Sequence, residues 1–101
     1  MLKAVKQRGT VEVSLEGELD HHSAAGVRQE LDTLIADPKV KRLVLDLSGL
    51  MFMDSSGIGV VIGRYKEMSR RGGSVAVRAA KGHVDRIFEM AGLYQIIERL
   101  R

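Results

Sequence analysis

The amino-acid sequence predicts an α/β fold with a mixed, mostly parallel sheet. Short apolar segments typical of strands alternate along the chain with segments whose apolar residues recur at helical spacing. This alternation favours right-handed crossovers between parallel strands. The 101 residues contain no internal repeat, low-complexity tract or linker, so we expect a single domain over residues 1–101 with three or more helices.

The chain begins with a predicted hairpin. Residues 2–5 and 10–15 alternate apolar with polar side chains, and Gly9 lies in the short turn between them. The first segment should therefore be an antiparallel strand at the N-terminal edge of the sheet. A first helix is predicted next, because apolar residues recur at helical spacing until Asp37 and Pro38 interrupt the pattern. Its apolar positions are Ala24, Val27, Leu31, Leu34 and Ile35.

The middle of the chain predicts the centre of the sheet and a second helix. Residues 40–47 are dense in branched apolar side chains, as in a strand that is covered on both faces. The second helix should begin at Ile58 and end before Gly72 and Gly73. Its apolar stripe consists of Val61, Ile62, Tyr65 and Met68.

The C-terminal third predicts a strand, a helix and a last strand. Residues 74–77 form the first of these strands and residues 96–100 the second. Gly92 is placed to end the helix between them. The apolar positions of this third helix are Val84, Ile87, Phe88 and Ala91.

Composition narrows the functional classes. The formal charge of +3 comes from 16 Lys and Arg against 13 Asp and Glu, and the basic residues are spread along the chain. With two Tyr, two Phe and no Trp, few aromatic platforms exist for stacking bases, so we expect no direct contact with DNA. The absence of cysteine excludes disulfides and thiolate metal sites. No apolar stretch is long enough to cross a membrane and no signal-peptide pattern is present, so we expect a cytoplasmic protein.

The strongest candidate site lies where the central strand gives way to the second helix. Its residues are Met53, Asp54, Ser55, Ser56 and Gly57. A helix start presents unpaired N–H groups and the positive end of the helix dipole, so it accepts an added anion such as a phosphate on a serine. The segment therefore suits a phosphorylation switch.

A second loop should lie beside this segment. The carboxyl ends of parallel strands meet at one edge of a sheet, so residues 18–23 and 54–57 are expected to bring Asp20 and Asp54 close to Ser55 and Ser56. A purely structural interpretation stays open, in which Asp54 or Ser55 caps the second helix and Asp20 caps the first. What supports a functional interpretation is redundancy, because one cap needs one side chain, yet Asp54, Ser55 and Ser56 all follow an apolar segment, which suggests a docking surface. We expect Phe52 or Met53 to be partly exposed.

Four segments carry a resemblance to a known family. They are GELDHH at residues 17–22, LVLDLSGL at 43–50, FMDSSGIGVVIGRYK at 52–66 and RIFEMAGL at 86–93. These segments resemble, in the same order, the anti-sigma factor antagonists of spore-forming bacteria, which belong to the STAS domain family. The similarity covers nearly the whole chain. Relatives commonly continue into a further helix after the position of Arg101, so part of a C-terminal helix is expected to be missing here.

The resemblance implies a regulator that switches partners and is not an enzyme. Its unphosphorylated form binds an anti-sigma factor that is also a serine kinase, and a sporulation sigma factor is released. The kinase phosphorylates the first serine of the DSSG motif, which is Ser55, and the complex separates. A serine phosphatase restores the binding form. No cofactor or membrane partner is implied.

The sequence also leads to predictions for other individual residues. Asp20, His21 and His22 should border the partner surface. The basic side chains of the second helix, Arg64 among them, are typical of a solvated face, and the functional alternative is that Arg64 meets acidic groups of the kinase. Two histidines in sequence rarely converge on one metal ion, so we expect no metal site. Gly59 and Gly63 lie one helical turn apart and are expected to permit close helix packing.

Two alternatives to the antagonist interpretation stay open. The first is a nucleotide-binding module that uses the start of the second helix as its phosphate site. The second is a sensory or scaffold STAS module, because related domains also occur in stress complexes and transporters.

Overall fold

A computed structural model describes residues 1–101 and confirms the α/β prediction. Five strands form one sheet in the order β1-β2-β3-β4-β5, with β1 antiparallel to β2 and all other pairs parallel. The elements are β1 Leu2–Gln7, β2 Thr10–Leu19, α1 Ala24–Ile35, β3 Arg42–Met53, α2 Ser55–Arg70, β4 Ser74–Arg78, α3 Gly82–Met90, a 3₁₀ helix Leu93–Gln95 and β5 Glu98–Leu100. None of these helices has the length and apolar character needed to span a membrane.

The core is built on one face of β3. Leu43 and Leu45 are fully buried and lie in register with valines of β2 and β4. Because side chains alternate across a strand, these residues line the same face of the sheet. The helices contribute the remaining large groups, which include Val27, Leu31, Ile35, Val60, Val61, Met68, Val84 and Phe88. The predicted apolar stripes of all three helices therefore face the core.

The opposite face of β3 is largely polar and is crossed by an ion pair. Val44 and Ala76 are buried on this face but lie outside the main apolar cluster. An ion pair between Arg78 on β4 and Glu12 on β2 spans β3, which lies between those strands. The predicted position of this strand in the middle of the sheet is confirmed. The prediction that it is covered on both faces is wrong for this face, where Arg42 and Asp46 are half-buried and Ser48 is exposed.

Several element boundaries differ from those predicted. Strand β2 extends to Leu19 and β3 extends to Met53, because these strands stay paired through a register shift near Gly17. Gly17 has a φ of +88°, a conformation that favours glycine and suits such an irregularity. Helix α2 begins at Ser55 instead of Ile58, because Asp54 caps it.

Close packing at α2 involves a different glycine from those predicted. A Cβ placed at Gly59 or Gly63 would meet no atom within 4 Å, so the prediction for these two residues is wrong. A Cβ at Gly57 would lie 2.6 Å from the backbone oxygen of Leu19 and 2.6 Å from Met53 Cγ. Gly57 therefore permits the first turn of α2 to lie directly against the ends of β2 and β3.

The C-terminal strand is held by a small polar cluster. The Tyr94 hydroxyl donates a hydrogen bond to Asp85 Oδ1 at 2.6 Å, and the Arg99 guanidinium lies 4.3 Å from the centre of the Tyr94 ring. Burial, followed by the hydrogen bond to Asp85, raises the pKa of Tyr94 to about 12. The cluster joins α3 to β5, which begins at Glu98 and is shorter than predicted.

The contrast between Gly57 and Gly59 predicts opposite effects of one substitution. Gly57→Ala should lower the free energy of unfolding by about 1–3 kcal/mol, because its methyl group would collide with the Leu19 backbone. Gly59→Ala should raise it by about 0.5–1 kcal/mol, because alanine is the better helix former and the space is open. Urea denaturation of both variants measures the difference. Equal stability of the two variants would contradict this assignment.

Candidate functional site

The candidate site is centred on the carboxylate of Asp54. This residue is the N-cap of α2 and has an extended backbone, with φ −117° and ψ −168°. Its Oδ1 accepts hydrogen bonds from the backbone N–H groups of Ser56 at 2.8 Å and Gly57 at 3.3 Å. The predicted capping role of Asp54 is confirmed. The N–H groups of Ser56 and Gly57 are therefore engaged inside the chain.

Ser55 is the first residue of α2 and is exposed. Its hydroxyl takes no part in the hydrogen bonds that fix the start of the helix. Ser56 is partly exposed, whereas Gly57 is buried against Leu19. The close approach that Gly57 permits is to its own chain, whereas its place on the partner surface stays a prediction.

The loop after β2 meets this segment as predicted. Parallel pairing places Leu19 opposite Met53 at the ends of their strands. The backbone N–H of His21 donates to Asp54 Oδ2 at 3.3 Å, and His21 Nδ1 lies 3.8 Å from the same oxygen. The exposed ring of His22 lies beside His21, with centroids 4.0 Å apart. Both histidines thus border the exposed start of α2.

Asp20 has a different role from the one predicted. Ser23, and not Asp20, is the N-cap of α1. Asp20 Oδ1 accepts from the N–H groups of His22 at 2.9 Å and Ser23 at 3.1 Å, which closes the turn before the helix. Burial raises the pKa of Asp20, but the backbone hydrogen bonds from Ser23 and His22 outweigh it, so the pKa lies below its ordinary value. Asp20 orders its own loop and forms no hydrogen bond with Ser55 or Ser56.

Of the three apolar residues before Asp54, Met51 and Phe52 lie at the surface and Met53 lies in the core. Met53, which is expected among the partner-binding residues, is 1% exposed and its side chain belongs to the core. Phe52 is 38% exposed, which confirms that one of this pair is accessible, and the neighbouring Met51 is 71% exposed. Strict alternation would place Met51 and Met53 on one face, but the pairing with β2 skips Met51: Gly17 lies opposite Leu50 and Glu18 opposite Phe52. This irregularity leaves Met51 and Phe52 accessible while Met53 stays in the core.

His83 is a neighbour of the site that sequence reasoning missed. Its ring stacks on that of Phe52, with centroids 4.9 Å apart and planes 4° from parallel. Its Nε2 lies 3.0 Å from the backbone oxygen of Met53, where it donates a hydrogen bond. Its position after β4 was the available signal, because that loop also belongs to the carboxyl edge of the parallel sheet.

Arg64 is removed from the site. It lies nine residues beyond Ser55 on α2, or about 13 Å along the helix axis at 1.5 Å per residue. Its side chain is 11% exposed, and Nε lies 3.1 Å from Asp32 Oδ1 on α1. This side chain is used in the contact between α1 and α2. Its contact with acidic groups of a partner stays a prediction.

The fold and the exposed serine at a capped helix start define the class of this protein. The family model of the STAS domain matches residues 1–101, and the chain belongs to that family. It is 44% identical over 90 residues to the anti-sigma F factor antagonist of Paenibacillus polymyxa, a match that covers 89% of this chain and 77% of that protein.

Two solved structures of one relative share the fold. The unphosphorylated form of the anti-sigma factor antagonist SpoIIAA is 28% identical, with a TM-score of 0.78, and the match covers 100% of this chain and 88% of that one. The phosphorylated form of the Bacillus cell fate determinant SpoIIAA is 29% identical, also with a TM-score of 0.78, covering 100% of this chain and 92% of that one.

The bonds of Asp54 predict its contribution to stability. Asp54→Ala should lower the free energy of unfolding by about 1–2 kcal/mol, because two N–H groups of α2 lose their acceptor. Asp54→Asn keeps an acceptor oxygen and should lose less than half as much. Urea denaturation measures both variants. Wild-type stability in Asp54→Ala would show that the carboxylate does not organise this junction.

Proposed function

We propose that this chain is an anti-sigma factor antagonist controlled by phosphorylation of Ser55. Its unphosphorylated form binds an anti-sigma factor with serine kinase activity and thereby frees a sigma factor. Phosphorylation by that kinase ends the complex, and a serine phosphatase restores the binding form. The observation that carries the proposal is the exposed Ser55 at a helix start capped by Asp54. The identity of 44% to an anti-sigma F factor antagonist supports the choice of partner.

The same geometry favours a phosphate that leaves the fold unchanged. A phosphoserine adds about −1.5 to −2 charges at neutral pH. The positive end of the α2 dipole favours that charge, whereas the carboxylate of Asp54 opposes it. Asp54 already occupies the N–H groups of Ser56 and Gly57, so the phosphate would stay exposed to water. We therefore expect a small change in stability and no movement of α2.

The effect of the phosphate on a docked complex should be much larger. An anti-sigma factor seated on Ser55 would have to bury a dianion beside the carboxylate of Asp54. Leaving such a charge unpaired in an interface costs on the order of 2–5 kcal/mol, which lowers affinity by about 30-fold to several thousand-fold. Electrostatic and steric exclusion at the interface thus suffices for a switch.

The proposed partner surface surrounds Ser55. Ser56 and Asp54 flank it on α2, the loop residues Asp20, His21 and His22 border it, and Phe52 lies at the end of β3. The protein acts as a binding regulator and not as an enzyme in this proposal. Because sigma factors direct transcription, we place its action in the cytoplasm.

The nucleotide-binding alternative is less well supported. A phosphate bound at the start of α2 would need free N–H donors there. The N–H groups of Ser56 and Gly57 already donate to Asp54. A nucleotide phosphate would have to displace that carboxylate.

Substitutions at Ser55 test the proposed switch. Ser55→Asp should weaken binding of the unphosphorylated chain to its anti-sigma factor by at least about 30-fold, because it adds a negative charge to the interface. The melting temperature should stay within about 2 °C of wild type, because the side chain is exposed. Calorimetry measures the affinity. Ser56→Ala is the matched control and should bind normally; undiminished binding by Ser55→Asp would overturn the proposal.

Mass spectrometry tests the modified position directly. Incubation with ATP and the anti-sigma factor of the same organism should add one phosphate to Ser55. Cleavage after arginine yields a peptide of residues 43–64, which contains both serines of the motif, and fragmentation assigns the site. Ser56→Ala should still be modified and Ser55→Ala should not. A phosphate on Ser56 alone would refute the assignment.

A further inference from the structure

An aromatic pair lies beside the candidate phosphorylation site and has no role in the switch described above. Phe52 keeps 38% of its surface exposed, although its ring is stacked almost parallel to the ring of His83. One side of the Phe52 ring is therefore exposed to solvent, and the other side packs against the ring of His83. Aromatic side chains, phenylalanine among them, are enriched at the cores of protein interfaces.

The pair is fixed to the backbone that leads to Ser55. His83 Nε2 is hydrogen-bonded to the oxygen of Met53, the residue between Phe52 and the helix cap Asp54. The side chain of Met53 is buried, so this anchor point is rigidly held by the core. His83 thus holds Phe52 through the ring stack and also holds the following peptide. Since Phe52 is ordered before binding, little side-chain entropy remains to be lost when a partner covers it.

The distance between Phe52 and Ser55 indicates which protein would cover the Phe52 ring. Phe52 and Ser55 are three positions apart in sequence, so their Cα atoms are at most about 11 Å apart. A stable interface buries about 800 Å² on each partner, equivalent to a disc of about 16 Å radius. A protein whose interface of that size is centred on Ser55 therefore also reaches Phe52. The partner is the same anti-sigma factor, and it would present an apolar side chain to the ring.

We propose that the exposed ring of Phe52, positioned by His83, is an apolar anchor for the anti-sigma factor beside Ser55. This inference rests on the function proposed above. Phe52 provides the contact, whereas His83 acts by positioning it. The anchor is separate from the charge switch, because phosphorylation of Ser55 leaves the ring stack and the hydrogen bond to Met53 in place.

Variants of Phe52 test the contact itself. Phe52→Ala should weaken binding of the anti-sigma factor by about tenfold or more, as truncation of an interface anchor does. In the phosphorylation of Ser55, the KM should rise while kcat stays near wild type, because the ring lies away from the transferred phosphate. Met90→Ala is the matched control, since Met90 is 82% exposed on α3 and lies two helical turns beyond His83. Phe52→Leu, which keeps most of the apolar bulk, guards against loss of folding.

Variants of His83 separate its two contacts. His83→Phe keeps a ring to stack on Phe52 but loses the hydrogen bond to Met53, and His83→Gln keeps a donor but loses the ring. If stacking positions Phe52, His83→Phe should bind within about twofold of wild type, while His83→Gln should bind several-fold more weakly. Equal loss in both variants, with normal melting temperatures, would refute the positioning role of the stack.

The two proposals fail in distinguishable ways. Loss of binding in Ser55→Asp together with wild-type binding in both Phe52→Ala and Phe52→Leu would overturn the anchor and leave the switch intact. Wild-type binding in Ser55→Asp would overturn the switch. Weakened binding in Phe52→Ala with normal binding in Met90→Ala supports the anchor. An equal loss in Phe52→Ala and Met90→Ala counts against it, because the effect would then be general to exposed apolar groups.

Discussion

The carboxylate of Asp54 is the interaction on which the site depends. One oxygen accepts the N–H groups of Ser56 and Gly57, and the other accepts the N–H of His21 from the loop after β2. A single side chain thus starts α2 and joins two loops at the carboxyl edge of the sheet. This arrangement requires a glycine at position 57, since any larger residue would meet the Leu19 backbone. Its consequence is that Ser55 is left exposed at a rigid position.

This arrangement separates the stability of the fold from the control of binding. The donors that most readily hold a phosphate are already engaged by Asp54, so an added phosphate gains few hydrogen bonds within the chain. It also disturbs no core packing, because Ser55 is exposed. Phosphorylation is therefore expected to change the free energy of binding much more than the free energy of folding. The reason is that water is excluded from the interface of the complex, where the added charge lacks a partner. A domain built in this way regulates by exclusion and need not change its shape.

Individual residues show which features of the fold and of the candidate site could be predicted from the sequence. The strands and helices were predictable because apolar periodicity reports which face is buried, and Asp54 was predictable because a cap is a local feature. Close packing at Gly59 was predicted wrongly, because spacing along a helix does not show whether another element lies against it. For the same reason the sequence did not show the ion pair of Arg64 with Asp32 on α1. His83 was missed because 30 residues separate it from Met53, and only the folded sheet brings the two together.

The sequence by itself determined the α/β class, the position of the strand-to-helix junction and the pair of serines at its start. Local pattern and backbone chemistry are sufficient for these features, since each depends on residues within a few positions of one another. The tertiary structure alone decided that Met53 is buried while Phe52 is accessible, that Asp54 holds His21, and that His83 stacks on Phe52. These features depend on the register between strands and on the path of the loops, which distant parts of the chain settle jointly.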